Sequence, residues 1–171
     1  MDAAPRELIV MRHAKAEAFA ARDHDRELTS RGRADAADAG RWARDADRLP
    51  DHVLVSSAAR TCGTWEAFRA ASGCQAEVIV DPGLYPAGTD AALEILRFVP
   101  AAAQRVMVVG HNPTMASLVH LLDDGTADEA AFAEISTGYP TSALTVLEVT
   151  SPWSDLDLGE ARIAAYYVGR G

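Results

Sequence analysis

The sequence predicts an α/β layer fold with mostly parallel strands, and three observations carry that prediction. Apolar runs rich in β-branched residues alternate with longer helical stretches. The run Val106-Met107-Val108-Val109 is continuously apolar, as a central strand covered on both faces requires. The last two strand candidates have no convincing helix between them, which predicts an antiparallel pair at the end of the chain. With 171 residues the chain can bury a real core once but scarcely twice, so a single domain over 1–171 is expected.

The first strand is expected from Glu7 to Met11 and runs straight into Arg12 and His13. A helix follows from Ser30 to Ala46. Thr29 or Ser30 can cap its start, and Ala36, Ala39, Ala43 and Ala46 form with Trp42 an apolar stripe at helical spacing. Strands are then expected at His52–Val55, Glu77–Val80 and Arg105–Val109, separated by helices at Ala59–Ala71 and Thr89–Phe98. Asn112, the only asparagine, can cap a helix whose first position is Pro113 and which extends to Leu122. The acidic, alanine-rich stretch from Asp123 to Ala133 reads as a surface turn and a weak helix. Ala143–Val149 and Arg162–Val168 complete the strands.

Composition narrows the function. A 49% hydrophobic, 24% charged chain is an ordinary globular one. The net charge of −9 and the pI near 4.9 argue against a general affinity for nucleic acid or an anionic membrane, so an anion site must be local. Fifteen of the sixteen basic residues are arginines, whose planar forks suit phosphate. Nowhere do about 18 apolar residues run together and no signal-peptide core is visible, so a cytoplasmic protein is expected. Cys62 and Cys74 lack metal-ligand spacing and read as reduced thiols, while His24, His52 and His120 read as solvated or packed.

Three strand ends carry the chemistry. The first strand delivers Arg12 and His13; the Val-Met-Val-Val strand passes through Gly110 to His111; and Val53-Leu54-Val55 leads through Ser56 and Ser57 to Arg60 in the first turn of a helix. Parallel strands send their carboxyl ends to one edge, where α/β sheets place their sites. Arg12, His13, Arg60 and His111 are therefore expected to converge. Two imidazoles among two guanidinium groups describe a phosphoryl pocket without a metal.

These motifs resemble those of the histidine phosphatase superfamily, and more narrowly its SixA-type phosphohistidine phosphatase branch. The Arg-His motif falls on Arg12 and His13, the Ser-x-x-x-Arg-x-x-x-Thr motif on Ser56, Arg60 and Thr64, and the Gly-His motif on Gly110 and His111. Arg26-Glu27-Leu28-Thr29-x-x-Gly32 resembles the branch's Arg-x-Leu-Thr-x-x-Gly element, and Pro140-Thr141-Ser142-Ala143 its closing segment. Gly63 stands where many relatives have glutamine. The resemblance implies a three-layer α/β/α sandwich with a mostly parallel central sheet, phosphoglycerate mutase-like. It implies a metal-independent phosphatase without organic cofactor, with His13 as the covalent nucleophile, Arg12, Arg26 and Arg60 on the phosphoryl oxygens, and His111 donating to them. The glutamate that donates a proton in mutase-like members has no counterpart between Asp81 and Ala92, which leaves Asp90 as the acidic candidate for proton donation. Short connections leave no lid, and an open pocket suits a phosphorylated protein, including phosphohistidine, with inorganic phosphate as product. The alternatives are a phosphatase of small phosphomonoesters and a catalytically silent phosphate-binding module.

Overall fold

The computed structural model describes residues 5–171. Its six strands form one sheet in the order β3-β2-β4-β1-β5-β6, with β1 at Arg6–Arg12, β2 at His52–Ser56, β3 at Glu77–Asp81, β4 at Arg105–Gly110, β5 at Ala143–Val149 and β6 at Ala161–Val168. β1 to β4 pair in parallel. β5 runs antiparallel to β1, and β6 antiparallel to β5, as the missing helix between them predicts.

Side chains alternate across the pleat, so each central strand feeds two cores. Leu8, Val10, Leu54, Val106, Val108 and Leu147 pack on one face beneath α3 (Thr89–Arg97), α4 (Thr114–Leu122) and α5 (Glu129–Ser136). Ile9, Met11, Val53, Val55, Met107 and Val109 pack on the other against α1 (Ser30–Asp45) and α2 (Ala59–Ser72). The result is the expected three-layer α/β/α sandwich with a mostly parallel sheet. Trp42 lies half-buried, stacked on Tyr167 with ring centroids 4.9 Å apart.

The structure departs from the sequence reading at the start of α4 and adds detail in two other places. Pro113 is the residue before α4 rather than its first position, although the Asn112 Oδ1 still accepts from the Ala116 amide at 3.3 Å. The stretch read as a weak helix holds α5, capped by Asp128 and anchored by buried Ala131 and Ile135. β3 is an edge strand whose Val78, Ile79 and Val80 are exposed, so pairing with β2 accounts for it better than burial does.

The Thr29-x-x-Gly32 element has a steric reason. Thr29 donates its amide to the Lys15 carbonyl, and its hydroxyl oxygen accepts from the Gly32 amide as the α1 cap. That closure presses Gly32 against residue 15 so tightly that a Cβ on Gly32 would stand 2.0 Å from the Lys15 oxygen. Backbone cannot swing away as a side-chain tip can. Gly32→Ala is therefore expected to destabilise the fold by at least about 1–3 kcal/mol, read as a lower denaturant midpoint. An unchanged midpoint would show that the loop carrying Arg26 is not clamped in this way.

Candidate active site

The carboxyl ends of β1, β2 and β4 lie side by side, because Arg12 pairs with Gly110 and Val55 with Val109. The ladder continues one residue further, with the His13 amide donating to the Gly110 carbonyl at 3.0 Å. His13 and His111 thus leave neighbouring strands together, with ring centroids 5.4 Å apart. α2 begins just past β2 and carries Arg60 in its first turn.

His13 is buried, and its Nδ1 lies 2.7 Å from the Ala14 carbonyl. A carbonyl only accepts, so Nδ1 carries the proton and Nε2 keeps a lone pair. Burial pushes the His13 pKa down to about 4; the bond to Ala14 acts the other way, and the charges of Arg60, Arg12 and Arg26 add to the lowering. His111 is pushed down to about 3, first by burial and then by Arg60. Its Nε2 lies 2.7 Å from the Ser56 hydroxyl, and its Nδ1 is buried without a hydrogen-bond partner.

Both rings are therefore neutral at ordinary pH. Since the unfolded chain binds protons at pH 4 to 6.5 that the folded one refuses, these two groups make stability rise with pH through that window. NMR titration should show no protonation of either ring from about pH 7.5 to about 5.5. A midpoint near the ordinary histidine value in either ring would contradict the burial argument.

Arg12 and Arg60 share one arrangement. The far end of Arg12 donates from Nη1 to the Tyr139 carbonyl at 3.0 Å, and that of Arg60 from Nη1 to the Asp23 carbonyl at 2.9 Å. In each, Nε is buried and lacks a hydrogen-bond partner. The motif around Arg60 also holds the chain just past β1, since the Thr64 hydroxyl donates to the Arg60 carbonyl and accepts from the Ala14 amide. The closing segment clamps the nucleophile candidate from the other side. Ser142, buried at a φ of 63°, donates its amide to the His13 carbonyl, while the Tyr139 carbonyl also accepts from Asn112.

Arg26 reaches the same pocket, and its charge is felt by both histidines; its Nε donates to Asp23 and its Nη1 to the Glu17 carbonyl, each at 2.9 Å. The structure thus brings Arg12, His13, Arg26, Arg60 and His111 into one cluster. Asp90 stands apart. It is exposed in the first turn of α3 and, among the described residues, bonds to none of the others.

Three site residues escaped the sequence reading. The Asp23 carboxylate accepts from Arg26, from Arg60 Nη2 at 3.1 Å and from the Tyr85 hydroxyl at 2.6 Å. Tyr85 also sets its edge toward His111 at 5.6 Å and lies under the Arg60 guanidinium at 5.9 Å. His24, read as merely solvated or packed, packs at the rim, bonded to Ser57 at 3.0 Å and edge-on to Tyr85. Asp23 sits three residues before the motif arginine, the one signal that could have found it; Tyr85, between Leu84 and Pro86, offered none. Among the described residues no helix is long and apolar enough to cross a membrane.

Known proteins resemble this chain in sequence and fold. Residues 8–85 match the histidine phosphatase superfamily (branch 1). The provisionally assigned phosphohistidine phosphatase SixA from Nakamurella multipartitia is 35% identical, with a TM-score of 0.87 and 100% of each chain covered. An uncharacterized protein of Mycobacterium tuberculosis (strain H37Rv) is 36% identical over 162 residues, which are 94% of this chain and all of the relative. The phosphoglycerate mutase of Plasmodium falciparum, 16% identical with a TM-score of 0.60 over 96% of this chain and 90% of its own, shares the fold. With its Arg-His and Gly-His strand ends brought together in that fold, the chain belongs to the histidine phosphatase superfamily and is a phosphatase of the SixA-like kind.

Proposed function

We propose that the enzyme hydrolyses phosphohistidine in proteins, without a metal, through a covalent phosphoryl group on His13. The observation that carries this reading is a neutral His13 with a free Nε2 lone pair, set 5.4 Å from the His111 ring and under the charges of Arg60, Arg12 and Arg26. A phosphoryl group is the anion that such a cluster of guanidinium groups suits.

In the reaction, His13 Nε2 attacks phosphorus in line while Nδ1 stays bonded to Ala14. Phosphoryl transfer asks little of the protein beyond alignment and neutralised charge. Arg12 and Arg60, tethered to the Tyr139 and Asp23 carbonyls, hold their charge at the site without having to be ordered first. With the Ser56 hydroxyl donating to His111 Nε2, Nδ1 carries a proton and donates to the oxygens as charge grows on them. Arg26 adds a third guanidinium from the loop. Water then hydrolyses the phosphohistidine and releases inorganic phosphate.

A protein phosphohistidine is favoured because imidazole departs without a dedicated acid once its ring is protonated. The reading accordingly gives Asp90 no part in that step. The likeness to the Nakamurella protein, provisionally assigned to phosphohistidine, supports the same choice. Turnover of a phosphohistidine peptide should exceed that of alkyl and aryl phosphates. Preference for the alkyl ester would favour small phosphomonoesters instead, and phosphate binding without turnover of any substrate would mean a silent binding module.

A further inference from the structure

Asp23 is a carboxylate placed among the groups meant for an anion. Its Oδ1 accepts from Arg26 Nε at 2.9 Å, and its Oδ2 from Arg60 Nη2 at 3.1 Å and from the Tyr85 hydroxyl at 2.6 Å. A carboxylate offers about four acceptor positions, so three donors leave one unused. The side chain is 56% exposed, whereas His13 is only 9% exposed. The nucleophile therefore lies on the floor and Asp23 at the mouth.

In-line displacement sends the leaving group away from the attacking nitrogen. Attack from a buried ring on a phosphate borne by an outside protein expels the leaving group through the mouth, past Asp23 and Tyr85. Bonds from Tyr85 and Arg26 hold the Asp23 carboxyl far below the usual carboxylate range. Asp23 is thus an acceptor and not a proton donor.

Resting on the proposed function, we infer that Asp23 is the residue that selects phosphohistidine over phosphate esters, by accepting a hydrogen bond from the leaving imidazole. In phosphohistidine one ring nitrogen bears phosphorus and the other, when protonated, bears N–H. The Asp23 oxygen accepts from that N–H and favours the cationic ring. His13 Nε2 forms the new N–P bond, the substrate P–N bond breaks, and its electron pair stays on the departing nitrogen. The product is neutral imidazole, still carrying the proton that faces Asp23, so no acid is required. An ester expels an anionic oxygen, which the same carboxylate repels.

The test is the ratio of kcat/KM for a phosphohistidine peptide to that for an aryl phosphate, in the wild type and in Asp23→Asn and Asp23→Glu. Asp23→Asn should lower the ratio about 10- to 100-fold, the range that a charge-assisted hydrogen bond supplies. The phosphohistidine value should fall while the aryl phosphate value rises, since Arg26 and Arg60 lose a competing carboxylate. Asp23→Glu, which keeps the charge, should restore part of the ratio. The variants should fold, because the bond from Arg60 to the Asp23 carbonyl is a main-chain one. A ratio unchanged in Asp23→Asn, whether both values fall together or neither moves, would overturn the assignment and leave Asp23 as a tether for the arginines. A wild-type enzyme inactive on phosphohistidine would instead remove the proposed function, and this inference with it.

Discussion

His13→Ala is expected to lower turnover by on the order of 10⁴- to 10⁶-fold on every substrate, since the covalent route disappears with the nucleophile. The fold should survive. His13 contributes its main chain to the structure, through the Gly110 and Ser142 bonds, and alanine keeps both. Phosphate or vanadate should still bind, because Arg12, Arg60 and His111 remain. Steady-state rates beside a vanadate inhibition constant check this: a variant that binds vanadate and retains more than a small fraction of wild-type turnover would place the nucleophile elsewhere.

Arg60→Ala is the second large effect. Arg60 is 6% exposed, and the far end of its guanidinium donates to both the carbonyl and the carboxylate of Asp23. Removing it takes one charged donor from the phosphoryl group, a loss of about 10²- to 10³-fold in kcat. It also leaves Asp23 with two donors instead of three and facing the incoming phosphate unneutralised, so vanadate binding should weaken as well. Arg60→Lys should recover little, because an ammonium cannot bond Asp23 with one edge and present Nε–H with another. Wild-type vanadate affinity in Arg60→Ala would remove this residue from the anion site.

The sheet was legible because its signals are local. A run such as Val106 to Val109 can be covered on both faces only at the centre of a parallel sheet, and β4 is there. The meeting of His13, Arg60 and His111 followed from one geometric rule, that parallel strands end on the same side. α5 was harder to read, because its acidic composition outweighed the two buried positions, Ala131 and Ile135, that dock it. β3 lies where the sequence places it, and its apolar Val78, Ile79 and Val80 are exposed because the strand is at the sheet's edge. Asp23 and Tyr85 were invisible as a pair because their bond joins segments 62 positions apart and neither lies in a motif. Their meeting depends on the loop after β1 folding over the end of β3, and no local pattern encodes that.

The tautomer of His13 depends on the Ala14 carbonyl, and the availability of Arg12 and Arg60 on carbonyls at Tyr139 and Asp23. Backbone, rather than side chains, thus prepares much of the site. Main-chain acceptors cannot be read from residue types, so the sequence identifies the charged groups while their preparation appears only in the fold.

Covalent transfer to His13 is tested most directly by quenching the enzyme during turnover of a labelled phosphohistidine substrate and locating the label. Quenched in alkali, the wild-type protein should carry one phosphoryl group on His13; exposure to acid should release it, as a phosphorus–nitrogen bond requires. His13→Ala should carry none. Label on any other residue of the wild type, or turnover without a trapped phosphoryl group in rapid-quench samples, would contradict a covalent phosphohistidine at His13.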